Sequence, residues 1–258
     1  MDYRNQIIDK CQELEKENKF TILFAIESGS RLWGMESCDS DYDVHLVYYY
    51  TLEDYMSLSK PRDTVSWMSK DRMIDINGFD IYKYTKLLLQ SNPNMIDWTL
   101  SPIIYYGTKE QIPSMMDFAI NSFNPFTLYH YYYGIAESAL NLMLKRGKSS
   151  KKYLYVLRGL LNAKWLLDEK TLPPYEFKKL VTTLQLETEI KEVILQLLER
   201  KRKGSEIELI GDEFNILTPF IEKQFSLRDV NKDQLIMRNP SKEHLVKFNK
   251  EIKKIIGF

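Results

Sequence analysis

The sequence contains few of the features that mark secreted or membrane-embedded proteins. It has only two cysteines, Cys11 and Cys38, and their positions form neither a metal-binding spacing nor a disulfide framework. The first residues, MDYRNQ, do not follow the pattern of a secretory or transit peptide. No apolar run approaches the ~20 residues that a bilayer-spanning helix needs. These absences predict a cytoplasmic protein that does not cross a membrane.

Net charge is also absent, because 36 Lys and Arg residues balance 36 Asp and Glu residues. No overall field therefore draws the chain to nucleic acid, and a polynucleotide partner would have to bind a local patch. Hydrophobic residues make up 44% of the 258 positions, which is enough for one large domain or two modest ones. The sequence shows no repeats and no low-complexity segment.

The stretch ESGSRLWGMESCDSDYDVHLVY (27–48) carries the strongest functional signal. It begins after an apolar run (20–26) that predicts a buried strand, and Gly29-Ser30 follows where the chain must turn. Asp41 and Asp43 then stand at alternate positions leading into a second apolar strand, so their side chains are predicted to share one face. Adjacent carboxylates repel unless a cation compensates, and Mg²⁺ binds such oxygen ligands together with substrate phosphates.

The glycine of this turn would let backbone N–H groups approach a phosphate closely, and Ser30 adds a hydroxyl donor. The order of strand, Gly-Ser, short helix and Asp-x-Asp strand resembles the signature of the DNA polymerase β-like nucleotidyltransferase superfamily. Further blocks at 28–34, 39–44, 79–107 and 151–165 are similar to one branch of it, the predicted nucleotidyltransferases associated with RNA repair. One departure is His45, where an arginine is expected in this branch.

The resemblance implies an α+β fold, with a mixed sheet flanked by helices and then an all-helical C-terminal domain. After Pro113 the composition becomes plainly helical, and Asn124-Pro125 predicts a capped helix that runs to about Arg146. We therefore expect a catalytic domain at 1–112 and a helical domain at 113–258. The resemblance implies that the helical domain closes over the nucleotide.

A third acid is expected from a predicted hairpin, in which Asn77-Gly78 joins strands at 72–76 and 79–82. Either Asp75 or Asp80 could supply this carboxylate. Asp80 is preferred because it belongs to the block FDIYKY that carries the resemblance. Its competing role, the N-cap of a helix starting near Lys83, is disfavoured because the spacing is long for a cap.

The resemblance implies that Asp41, Asp43 and Asp80 are catalytic and hold a pair of Mg²⁺ ions, with Mn²⁺ as an alternative. Gly29, Ser30 and Arg31 would bind the phosphates of the nucleotide, although Arg31 could instead only pack the loop. The implied reaction transfers a nucleoside monophosphate from an NTP, such as ATP, to an acceptor hydroxyl and releases pyrophosphate.

A second group of cations lies on a predicted helix, where Lys151, Tyr155 and Arg158 share one face at i, i+4 and i+7. Such a face can neutralise either a triphosphate or a polynucleotide backbone. The resemblance favours binding of the nucleotide. Of the histidines, His45 is expected to hydrogen-bond a carboxylate, and His130 to be a hydrogen-bonded residue of its helix.

The acceptor could be an RNA end, a protein hydroxyl or a small molecule, and the sequence leaves the base of the NTP and the oligomeric state open. The neutral charge mildly disfavours long nucleic acid, whereas the association of the branch with RNA repair favours RNA. An alternative from another class is a nucleotide-binding regulator or antitoxin-like protein without turnover. The intact Gly-Ser and three-acid pattern argues against that alternative.

Overall fold

Residues 2–204 and 214–258 are described by the computed structural model of the chain. In chain order its elements are α1 (Tyr3–Asn18), β1 (Thr21–Glu27), α2 (Gly29–Leu32), β2 (Tyr42–Tyr49), α3 (Leu52–Met56), β3 (Thr64–Met68), β4 (Ile74–Asp80), α4 (Ile81–Leu89), α5 (Pro93–Leu100), β5 (Ile104–Gly107), α6 (Pro113–Asp117), a π-helical turn (Phe118–Ser122), α7 (Pro125–Arg146), α8 (Ser150–Asp168), α9 (Phe177–Thr183), α10 (Thr188–Lys203), α11 (Leu217–Ser226), α12 (Arg228–Asn231), a 3₁₀ turn (Lys232–Gln234) and α13 (Lys242–Ile255).

The strands form one mixed sheet of five strands in the order β3-β4-β2-β1-β5. Strands β2 and β4 run parallel, whereas the other neighbouring strands run antiparallel. On one face of the sheet, Val44 and Leu46 pack in the same core as Ile7 and Cys11 of α1. On the other face, Trp98 of α5 stacks on the imidazole ring of His45 in β2. The predicted α+β fold, a mixed sheet flanked by helices and followed by a helical region, is confirmed.

The predicted hairpin at Asn77-Gly78 is wrong, because both residues lie inside the continuous strand β4. Gly78 is buried between two neighbouring strands, and a Cβ built there would overlap the side chains of Leu46 and Val65. The glycine therefore serves the close approach of β2 and β3 to β4, rather than a turn.

The chain divides into two compact units. The first contains Met1–Leu32, Asp41–Phe123 and Asn239–Phe258, and the second contains Trp33–Ser40 and Asn124–Arg238. These units depart from the predicted domains at 1–112 and 113–258. Part of the reason is that Phe248 of the C-terminal helix packs edge-on against Phe118, with ring centroids 5.6 Å apart, within the first unit.

In the second unit, α7 packs along α8, and cationic side chains hold the segment Trp33–Ser40. The guanidinium carbon of Arg158 lies 3.4 Å from the ring centroid of Trp33. Lys201 is buried and donates a hydrogen bond to the carbonyl of Met35, and Arg202 donates to the carbonyl of Gly34 at 2.9 Å. The sequence predicts a solvated basic helix end at 201–204, and the buried ammonium of Lys201 corrects that prediction.

Candidate active site

Asp43 lies against the turn that joins β1 to α2. Gly29 has a φ of +64°, and a Cβ built on it would overlap the carboxylate of Asp43. The backbone N–H of Ser28 donates to the carbonyl of Asp43 at 2.8 Å, which fixes the turn against β2. Glycine is required here both for its left-handed conformation and for the space that the carboxylate takes. The predicted proximity of the Gly-Ser turn and the Asp-x-Asp strand is thus present.

Asp75 is the acid that the sheet places beside Asp43. The two residues pair in register on the parallel strands β2 and β4, and neighbouring strands lie about 4.8 Å apart. Their neighbours in sequence, Val44 and Ile74, point into the core on the α1 side, so both aspartates project from the opposite face. Asn77 supports this pair, because its amide donates to the Asp75 carboxylate at 2.9 Å.

Asp41 precedes β2 and is half-buried. Its carbonyl oxygen accepts a hydrogen bond from Nε of Arg31 at 3.1 Å. The guanidinium carbon of Arg31 also lies 3.9 Å from the ring centroid of Tyr42. Arg31 therefore links the short helix α2 to the start of the aspartate strand, and its positive charge acts on the carboxyl group of Glu27.

Glu27 is a buried acid at the end of β1 that the sequence reading did not single out. The oxygens of its carboxyl group accept the backbone N–H of Asp43 at 3.0 Å and the hydroxyl of Tyr105. Burial raises the pKa of Glu27 to about 8, and the negative charge of Asp43 acts in the same direction. The one signal in the sequence was a single charged residue closing an otherwise apolar strand.

The expectation that Asp80 meets Asp41 and Asp43 is wrong. Asp80 ends β4 and pairs with Tyr48, at the opposite end of the strand from Asp75. Its carboxylate caps α4 by accepting the N–H of Tyr82 at 2.9 Å, and it accepts the hydroxyl of Tyr55 at 2.6 Å. Because α4 starts at Ile81 instead of near Lys83, the disfavoured capping role is the one observed.

Two of the three histidines, His45 and His130, take packing positions. His45 stacks on Trp98 with ring centroids 4.4 Å apart instead of hydrogen-bonding a carboxylate. Burial lowers its pKa to about 4, so the ring is neutral near pH 7. His130, in the second unit, packs against Phe126 with ring centroids 4.4 Å apart.

The predicted nucleotide-binding residues of α8 belong to the second unit and have different surroundings there. Arg158 is buried against Trp33. Tyr155 is half-buried and meets Trp33 edge-on, with ring centroids 5.7 Å apart. Lys151 lines a groove between α7 and α8. Their part in binding the nucleotide, like that of Gly29, Ser30 and Arg31, stays a prediction.

Carboxylate oxygens are the type of ligand that a hard divalent cation prefers, but the protein does not supply a complete set of metal ligands in the described residues. Within residues 2–204 and 214–258, no three His, Cys, Asp or Glu side chains are grouped so as to hold a metal ion. Asp43 and Asp75 nevertheless offer adjacent carboxylate oxygens on one face. Mg²⁺ is commonly bound by one or two carboxylates, with waters and substrate phosphates as its other ligands. The donor set therefore fits a metal that is bound together with a nucleotide.

The mixed sheet, the glycine turn and the aspartate strand are the features of a polymerase β-like nucleotidyltransferase. The sequence profile of the RNA repair pathway DNA polymerase beta family (RlaP) matches residues 3–248, and the chain belongs to this family. No helix in the described part of the chain is both long and apolar enough to span a membrane.

Two individual proteins match the chain to different degrees. Uncharacterized protein YcgL of Bacillus subtilis (strain 168) is 34% identical over 222 residues, which cover 86% of this chain and 85% of the relative. The second is a solved structure of a nucleotidyltransferase-like protein from Exiguobacterium sibiricum 255-15. The alignment covers 96% of this chain and 79% of the solved chain, at 11% identity and a TM-score of 0.31.

Proposed function

We propose that the chain is a metal-dependent nucleotidyltransferase that transfers a nucleoside monophosphate from an NTP to a hydroxyl of an RNA end, with release of pyrophosphate. The observation that carries the proposal is the in-register pair Asp43 and Asp75 beside the Gly29 turn. The description of the family, which places it in RNA repair, favours RNA as the acceptor over a protein hydroxyl or a small molecule.

In this proposal Asp43 and Asp75 would supply the carboxylates that hold Mg²⁺, with Mn²⁺ as an alternative and the nucleotide phosphates as further ligands. Asp41, just before the same strand, would add its carboxylate only once the metal and the nucleotide are bound. When bound, the metal would neutralise phosphate charge and favour deprotonation of the attacking hydroxyl. Asp75 would take the role that was predicted for Asp80.

The protein residues would contribute mainly by positioning the reactants. The bare backbone of Gly29 and the hydroxyl of Ser30 would face the leaving phosphates. Arg31 is held by the Asp41 carbonyl and would supply positive charge close to them. Glu27 accepts the N–H of Asp43 and so fixes the backbone of the aspartate that lies against the turn.

The test is incubation of the full chain with Mg²⁺, each labelled NTP and a panel of RNA ends, with labelled RNA and pyrophosphate as readouts. Asp43→Asn and Asp75→Asn should each abolish transfer, because they remove a carboxylate charge while keeping the shape of the side chain. Asp80→Asn is the matched control and should retain transfer. Loss of transfer in Asp80→Asn but not in Asp75→Asn would return the third acid to Asp80, and transfer by Asp43→Asn would place the site elsewhere.

A nucleotide-binding regulator without turnover is the second candidate. The observation in its favour is that no group of three metal-ligating side chains is formed in the described ranges. Equilibrium binding of an NTP separates the two functions. Binding that depends on Asp43, without pyrophosphate release under any acceptor condition, would support the regulator.

A further inference from the structure

A groove runs along α7 and the start of α8, wholly within the second unit. Its volume is about 880 Å³. Its apolar part includes Ile135 and Leu142, and Tyr131 and Tyr155 contribute aromatic rings. Leu142 is 41% exposed. The groove therefore combines aromatic and aliphatic surfaces in the way that small-ligand and nucleobase sites do.

Gly134 leaves the backbone of α7 bare in this groove. A glycine inside a long helix is less stable than an alanine. A Cβ added to Gly134 would meet no atom within 4 Å among the described residues, so internal packing does not demand the glycine. Open space at this position lets a flat ring lie directly on the helix backbone.

The charge of the groove is of one sign. Arg146, Lys151 and Lys152 line it where α7 ends and α8 begins, and none of its lining residues is acidic. The ammonium of Lys152 donates to the carbonyls of Arg146 at 3.0 Å and Gly147 at 2.6 Å, which holds a positive charge at this end. A ligand that complements the groove carries both planar rings and negative charge, as a nucleotide does.

The extent of the groove favours a strand over a single nucleotide. From Tyr131 to Arg146 it follows α7 over 16 residues, and the distance between these two ends is about 22 Å at the rise of an α-helix. An adjoining hollow of about 470 Å³ shares Gly134, Ser138 and Leu142 with it and adds one acid, Glu137, and one base, Lys145, so the concave surface continues across α7 without a change in net charge. This surface is longer than one nucleotide.

We propose that the α7–α8 groove binds the single-stranded end of the RNA acceptor. Bases would stack on Tyr131 and Tyr155 and lie over Gly134, while Arg146 and Lys151 bind phosphates. Aromatic stacking combined with a cationic path is the usual mode of single-strand binding. The choice of RNA rests on the proposed function, whereas binding in the groove requires no turnover.

Fluorescence anisotropy of a labelled single-stranded RNA, with Mg²⁺ and without NTP, tests this proposal on the full chain. Gly134→Leu fills the groove, and Arg146→Glu reverses a charge at its end. Their controls are Gly134→Ala, which leaves most of the space open, and Lys250→Glu, an equal charge reversal at an exposed position of α13. We expect the Kd to rise about tenfold in the first two variants and to stay within about twofold in the controls.

Several results would overturn the proposal. Equal weakening by Lys250→Glu and Arg146→Glu would mean that the RNA senses only overall charge. An unchanged Kd in Gly134→Leu would exclude the groove, as would equal affinity for the same strand annealed to its complement. Loss of NTP binding in Gly134→Leu, with RNA binding kept, would assign the groove to the nucleotide substrate. Anisotropy of Asp43→Asn separates this proposal from the transferase proposal, because that variant should bind RNA normally without transferring a nucleotide.

Discussion

The carboxylate of Asp43 occupies the space that a Cβ on Gly29 would need. We expect Gly29→Ala to abolish nucleotide transfer, since the methyl group must displace Asp43 or move the turn. The variant should also lose about 1–3 kcal/mol in the free energy of unfolding, because Gly29 has a φ of +64°. Urea unfolding and pyrophosphate release measure the two effects.

Gly257→Ala is the matched control for Gly29→Ala. Gly257 has a φ of +78°, but a Cβ there would meet no described atom within 4 Å. It carries the same kind of backbone strain without the overlap, and transfer should be unchanged. Wild-type transfer by Gly29→Ala would show that Asp43 is not held in a working position by the glycine turn.

Asp80 gives a second prediction, which concerns stability instead of chemistry. Asp80→Ala should lose about 1–2 kcal/mol in the free energy of unfolding, because it removes the cap of α4. Asp80→Asn should lose less, since asparagine also caps helices. Tyr55→Phe removes the hydroxyl that donates to Asp80 at 2.6 Å but leaves the cap in place. Its free energy of unfolding is compared with that of Asp80→Ala to separate the two contacts. A large loss of transfer per folded molecule in Asp80→Asn would contradict the structural role.

The contrast between Asp75 and Asp80 shows how far the sequence alone could reach. Alternation along β2 predicted the face of Asp43 from local geometry. The choice between the two candidate acids depended on whether Asn77-Gly78 formed a turn. That depends on which strands flank β4, and the required packing of Gly78 against Leu46 and Val65 is visible only in the assembled sheet.

The structural role of Glu27 could not be predicted from the sequence for a related reason. Its carboxylate is satisfied by the N–H of Asp43 and the hydroxyl of Tyr105, which are distant in sequence. Lys201 shows the same limit, because the carbonyl that it contacts belongs to Met35, which is 166 residues away in the sequence. By contrast, the helix starting at Pro125 was predictable, since its cap Asn124 acts through its own neighbours.

Lys109 predicts a pH dependence of stability. The residue is buried and donates to the carbonyl of Ser101 at 2.7 Å, and burial lowers its pKa to about 7. Between this pKa and the usual value of about 10.4, the unfolded chain binds a proton that the folded chain has released. This group therefore makes the free energy of unfolding rise as the pH increases above about 7.

The measurement compares urea unfolding of wild type and Lys109→Met from about pH 7 to about pH 9. The titration of Lys109 is the difference between the two proteins over this range. The wild-type free energy of unfolding should rise relative to that of the variant over this range. Other groups titrate in both proteins, so the difference isolates Lys109. A difference that is constant or falls with pH would mean that Lys109 stays charged in the fold.

The contact between Lys201 and the segment Trp33–Ser40 predicts a loss of stability when the lysine is replaced. Its ammonium is buried and donates to the carbonyl of Met35, so Lys201→Met leaves a buried carbonyl short of a donor. We expect a loss of about 2–3 kcal/mol in the free energy of unfolding. Lys203→Met changes an exposed lysine of the same helix and should alter stability by less than about 0.5 kcal/mol. Equal effects of the two substitutions would mean that Lys201 acts only as a helix-end charge, because both lysines lie in the last turn of α10.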